Sequence, residues 1–156
     1  MNWEFLLGTD EPHVHVIAGS ADALCDAVMG LDGLRDQGLE TRWLRGSKMR
    51  TANSLFDEFA AALQFPPYFG QNWDALDECL NALDWLQGDG AALFILEADQ
   101  LLRDAPPEDG RILFEILQAA ESNLPFHIVM QTEDTDTVME GLKAMDVEVR
   151  LLPPLL

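Results

Sequence analysis

The residues best equipped for chemistry lie in "FPPYFGQNWDALDECLNALDWL", residues 65–86, which carries Asp74, Asp77, Glu78 and Asp84 and no Lys or Arg. Carboxylates grouped this closely can do one of two things. A pair can serve as general acid and general base, as in glycoside hydrolysis, provided a cleft holds them at a set separation. A row of fixed anions can instead attract a cationic surface. The first use finds no support elsewhere in the chain, which shows no glycine-rich phosphate loop, no nucleophile elbow and no spaced metal ligands. No catalytic residue, metal or cofactor is therefore assigned. The second use fits the charge, since 28 acids oppose 9 bases for a net −19. That balance argues against a general nucleic-acid or anionic-membrane binder, because both surfaces need cations on the protein. A solvated helix face is the default reading of charge pattern alone. Against it, residues 51–102 hold nine acids and no Lys or Arg.

The carboxylates need a helix to align them, and the spacing predicts one over about residues 72–86. At 100° per residue, Trp73, Leu76, Leu80 and Leu83 fall within about 80° of one another and form an apolar stripe to lie on a sheet. Asp74, Asp77, Glu78, Asn81 and Asp84 take the opposite arc. Asp74 and Glu78 stand at i and i+4, one above the other, at a cost of about a few tenths of a kcal/mol in an isolated helix. Asn72 is a suitable N-cap, which puts Asp74 in the first turn, where the helix dipole favours an acid. Pro66 and Pro67 restrict the preceding backbone, and Gly70 is free to take a positive φ. Tyr68 and Phe69 either pack beneath this loop or face a partner.

The ordered run from Tyr68 to Leu80 resembles the signature of the barstar family, intracellular inhibitors of secreted bacterial ribonucleases. Tyr68, Phe69, Gly70, Asn72, Trp73, Asp74, Ala75, Leu76, Cys79 and Leu80 fit it. The upstream "RWLR" and "SLFDEFAAAL" and the downstream "DWL" and "ALFILEADQLL" follow the family order, so the resemblance covers about 39–131. It implies that the loop and acidic helix plug the active site of a basic ribonuclease or nuclease toxin in a 1:1 complex, with carboxylates where substrate phosphates would lie. The partner-binding residues it implies are Tyr68, Phe69, Gly70, Asn72, Asp74, Asp77 and Glu78. Two of these depart from the pattern: Glu78 is one methylene longer than the usual Asp, and Asp77 replaces a frequent aromatic. A further family contact falls near Ala119, close to Glu115 and Glu121. The alternative is a barstar-like binding module that docks a different basic partner without inhibiting a nuclease.

Around this segment, strand and helix patterns alternate. Strands are expected at 3–7, 13–18, 39–45, 91–97, 126–131 and 147–152. Helices are expected at 20–34 with Ser20 as N-cap, at about 53–63, at 108–122 and at 134–145. This alternation predicts an α/β fold, a barstar-like mainly parallel sheet flanked by helices, with extra strand and helix elements at both termini. We expect a single domain over 1–156, a 39–131 core with extensions 1–38 and 132–156. The start lacks a secretory signal and no apolar run spans a bilayer, so a cytoplasmic protein is expected. Cys25 and Cys79, the only cysteines, both fall in expected helices. His13 and His15 read as one face of a partly exposed edge strand, and His127 as a core or surface histidine. Arg42, Arg45, Lys48 and Arg50 read as internal balance for the acidic body.

Overall fold

The runs of β-branched and aromatic residues become a five-stranded sheet in the computed structural model, which describes residues 1–82, 85–120 and 124–156. Leu83, Asp84 and Glu121, all named above, lie outside the described residues. The strands are β1 (Val14–Ala18), β2 (Leu39–Arg45), β3 (Gly90–Leu96), β4 (Phe126–Thr132) and β5 (Val149–Leu151). They lie in the order β2-β3-β4-β1-β5, and every neighbouring pair is parallel. The fold is α/β, as expected, with helices on both faces.

Strand order fixes where the helices go. A parallel crossover is right-handed, so the direction of travel across the sheet decides which face the connection covers. From β1 the chain travels past β4 and β3 to reach β2. This connection, α1 (Ala21–Val28), a 3-10 turn and α2 (Asp32–Arg35), covers one face. From β2 onward the chain steps the other way. Accordingly α3 (Ala52–Leu63), α4 (Trp73–Ala82), α5 (Pro107–Ala119) and α6 (Thr135–Ala144) share a core with the opposite face. Side chains alternate between the two layers along each strand. In β3, Ala91, Leu93 and Ile95 meet the α3–α6 layer, while Ala92 and Phe94 meet the α1 layer. Leu55, Phe59 and Leu63 seat α3 on the sheet, all fully buried, at roughly 1.5–3 kcal/mol for each side chain. Cys25 on α1 and Cys79 on α4 lie on opposite sides of the sheet, which keeps their thiols apart.

Helix starts follow their caps. Ser20 Oγ accepts from the Ala23 amide, Thr51 and Ser54 form a reciprocal capping box, and Asp134 accepts from the Thr137 amide. Each satisfies an amide that the first helical turn leaves open. Among the described residues, no helix is long and apolar enough to cross a membrane.

Three expectations are corrected. The segment expected as a first strand is a 3-10 turn, Glu4–Leu7. Trp3 and Leu6 are its buried residues, and a spacing of three suits a 3-10 turn rather than a strand's alternation. The helix expected over 20–34 breaks at Met29–Leu31 into a 3-10 turn before α2. Gly30 stands at that break, and glycine is a poor helix former. Finally, β1 is not an edge strand, because β5 pairs with its outer side through Val14, His15 and Val16. His13 and His15 are consequently buried, as is His127.

Candidate partner-binding site

The loop between α3 and α4 is braced from both ends. Gln64 closes α3 in the left-handed region at φ 55°, before Pro66 and Pro67. The Phe69 amide then donates to the Pro66 carbonyl, 3.0 Å, in a tight turn. The residue with positive φ in this loop is Gln71, at 54°, not Gly70 as expected. Gln71 is held there by its side-chain amide, which donates to Asp57 of α3, 3.0 Å. Gly70 is needed for space: a Cβ there would meet Asn72 Nδ2 at 3.3 Å. Asn72 spends both ends of its side chain inside the loop. Its Oδ1 accepts from the Ala75 amide, 2.8 Å, as an N-cap does, and its Nδ2 donates to the Gly70 carbonyl, 3.1 Å.

The aromatic pair divides its work. Phe69 turns inward against Phe65 and Phe56, with ring centroids 5.1 and 6.4 Å apart. Tyr68 turns outward and is 82% exposed. Trp73 packs edge-on against Phe56, 4.9 Å between centroids, and fixes the first turn of α4 to α3. Leu76 and Leu80 are fully buried in the core shared with Leu93, Ile95, Leu113 and Leu117. This inner face leaves Asp74 and Glu78 exposed on the outer one. Asp77 is half-buried, and its carboxylate accepts from Asn81 Nδ2, 2.6 Å.

Charges elsewhere are handled differently. Arg42 pairs with Glu40, Arg45 with Glu58 and Arg50 with Asp104, at 3.0, 2.8 and 2.8 Å. The basic stretch thus balances acids of its own chain, as expected. Glu58 is the most enclosed of these acids. It accepts from the Arg45 backbone amide, Nε and Nη2, each at 2.8 Å, and these bonds hold its carboxyl below the usual range despite the opposing effect of burial. Among the described residues, no ion pair engages Asp74, Asp77 or Glu78.

The sequence did not reveal the cleft beside Glu78. It holds about 450 Å³ and is lined by Gln64, Phe65, Pro66, Tyr68, Glu78, Cys79, Ala82 and Trp85. Buried Trp85, whose indole N–H donates to the Leu80 carbonyl, forms one wall. Among the described residues the lining is mostly apolar with one carboxylate, Glu78, and one tyrosine, Tyr68, a combination that suits a side chain apolar along its stem and cationic at its tip.

Family comparison identifies the chain through the elements that carry this site. The model for Barstar, described as barnase inhibitor, matches residues 39–137, well over half of the chain. The chain belongs to the barstar family. The matched region of this barstar-family protein supplies β2, β3, β4 and α3–α5. The flanking segments add β1 and β5 beyond β4 and lay α1 and α2 over the second face. No curated protein sequence matches the chain.

Solved structures resemble the enlarged sheet as a whole. The Aeropyrum pernix ORC2 protein in its ADP form superposes with a TM-score of 0.68 at 12% identity, over 97% of this chain and 44% of that one. Cdc6p from Pyrobaculum aerophilum gives 0.63 at 16% identity, over 95% and 41%. Drosophila ORC bound to GC-rich DNA and Cdc6 gives 0.61 at 14%, over 97% and 26%. The barstar-family chain spans less than half the length of these proteins, and at such identities the likeness is one of fold alone.

Proposed function

We propose that this protein is a stoichiometric inhibitor of a basic bacterial ribonuclease, an immunity protein against a nuclease toxin, which binds 1:1 and blocks the active site with α4 and its preceding loop. One observation carries the reading. Asp74 and Glu78 stand exposed on a helix anchored by fully buried Leu76 and Leu80, and among the described residues no cation pairs with them. In this reading the two carboxylates occupy the places of substrate phosphates, Asp77 adds to the field, Tyr68 and Phe69 shape the contact, and Gly70 and Asn72 hold the loop.

The physics of association supports the role. Anions on α4 and a cationic cleft attract over a screening length of ~8–10 Å at ordinary ionic strength. Steering of this kind raises on-rates by ~10–10³-fold, a range for which barnase and its inhibitor are themselves a worked case. Once docked, close charge pairs add affinity only where attraction exceeds the cost of removing both ions from water. A rigid helix helps, because its side chains need little further ordering on binding. The family's members are inhibitors, which weighs against an enzymatic role for the acidic helix.

A panel of small basic ribonucleases tests the proposal. RNA cleavage by one of them falls to zero at one equivalent of the protein, and the Asp74→Ala/Glu78→Ala variant restores cleavage. Tight inhibition that survives this double substitution would assign the surface elsewhere. The second reading, a barstar-like module for another basic partner, draws on the layer of α1, α2, β1 and β5 added outside the family match. Recovery of a non-nuclease partner through α4, with no protection of RNA, favours it.

A further inference from the structure

The chain's three histidines gather beneath its N-terminal turn, far from the acidic helix. His13 and His15 precede and occupy β1, and His127 occupies the neighbouring β4. The His15 and His127 rings lie 5.2 Å apart, and those of His13 and His127 5.3 Å. Phe5 of the 3-10 turn covers two of them, 4.8 Å from His15 and 6.1 Å from His127. His127 Nε2 lies 2.8 Å from the Gly8 carbonyl, His15 Nε2 lies 3.0 Å from His127 Nδ1, and His13 Nε2 lies 2.9 Å from the Thr9 carbonyl.

These contacts dictate where the protons sit. A carbonyl only accepts, so His127 carries its proton on Nε2 and offers a lone pair at Nδ1. His15 must then donate to that lone pair from its own Nε2. His15 Nδ1 is left as a bare lone pair, buried and without a hydrogen-bond partner. The relay runs from His15 through His127 to Gly8, and each imidazole in it is neutral.

We propose that Trp3–Thr9 is an acid-released strap, held on the sheet by this neutral histidine relay and freed when the relay takes up a proton. A second proton on His127 would sit at Nδ1 and face the His15 N–H, placing two donors 3.0 Å apart, or else drive the His15 proton to its Nδ1, where no acceptor waits. A second proton on His15 would sit at Nδ1, in a fully buried side chain with no acceptor. Two of the groups that face the relay oppose a charge on either imidazole: His13, just before β1, and Arg150 of β5. The Gly8 carbonyl of the turn favours a charged His127 but is outweighed by burial, and Phe5 closes the site over the rings. Among the described residues, no carboxylate acts on either imidazole.

Burial, reinforced by His127 and Arg150, pushes His15 from 6.5 down to about 3; burial also lowers His127. A lowered imidazole pKa means that the relay binds a proton once the strap is released that it refuses while the strap is docked. The strap therefore carries no acid penalty above pH 6.5, and the penalty grows as pH falls from 6.5 to about 3. Release withdraws Trp3 and Leu6 from Ile17, Phe94 and Val129 on the α1 face, and leaves the α4 face untouched.

Hydrogen exchange read by mass spectrometry tests the strap. At about pH 4.5 the amides of residues 3–9 lose about a hundredfold in protection relative to about pH 7.5, after correction for intrinsic rates, as expected for one imidazole held neutral two units below its ordinary pKa. β3 and α5 stay protected at both pH values. The His15→Phe/His127→Phe variant keeps the packing and retains the strap at both. Equal protection in the wild type at the two pH values, or the same acid loss in the variant, would overturn the proposal. Imidazole 15N shifts in the wild type give a second test that needs no variant: the relay stays neutral down to the pH at which the strap loosens. An imidazolium relay beneath a protected strap would overturn it equally.

Discussion

Two sets of carboxylates in this protein receive opposite treatment. Glu40, Glu58 and Asp104 each meet an arginine of the chain, and Glu58 is enclosed by three hydrogen bonds from Arg45. Among the described residues Asp74 and Glu78 meet none, although they are stacked one turn apart on α4. In the first set Glu58 ties α3 to β2, Asp104 ties the segment before α5 to the one before α3, and Glu40 pairs within β2. The second set is mutually repulsive and is presented by a helix whose other face is fixed in the core. The difference separates acids that hold the fold from acids that remain available to something else.

Substitutions on the two sides should therefore trade effects. The largest change is expected from Glu78→Ala, which weakens the proposed nuclease complex by about 2–5 kcal/mol in calorimetric titration and does not lower the unfolding midpoint. Tyr68→Ala, which removes the exposed aromatic at the lip of the cleft, costs about 2 kcal/mol of the same affinity. Glu58→Ala does the reverse: it lowers folding stability by about 1–3 kcal/mol in urea unfolding, because Arg45 donors lose a buried acceptor, and it leaves partner affinity unchanged. Acid sharpens this contrast. The carboxyl of Glu58 is held below its ordinary 4.5, so its contribution is complete above pH 4.5 and is lost as pH falls through the lower folded value. Unfolding midpoints followed against pH should show this loss in the wild type and not in Glu58→Gln. The smallest effect is expected from Glu78→Gln, which relieves the i,i+4 repulsion with Asp74 and stabilises the fold by about a few tenths of a kcal/mol.

Local signals made much of the fold legible. The apolar runs at 91–97 and 126–131 announced the two central strands, and Ser20 marked a helix start where the structure has it. Interactions between distant segments were not legible. β1 reads as an edge strand until β5, a three-residue strand near the other end of the chain, pairs with it and buries His15. The acids of α4 could be placed on an outer arc from periodicity alone. Their lack of an arginine partner could not, because Arg45 reaches Glu58 thirteen residues away only once β2 packs beside α3. Gly70 and Gln71 show the same limit at short range. Composition favours the glycine for the left-handed conformation, yet a tertiary hydrogen bond to Asp57 holds Gln71 there.

The proposed inhibition depends on the exposed carboxylates of Asp74 and Glu78 steering a cationic partner onto this face. Stopped-flow association with an inhibited basic ribonuclease, across a salt series, tests it most directly. We expect a steep fall in on-rate with salt for the wild type and a shallower one for Asp74→Asn/Glu78→Gln, with the Glu58→Gln variant following the wild type. Identical salt slopes for the wild type and the α4 double variant would contradict it.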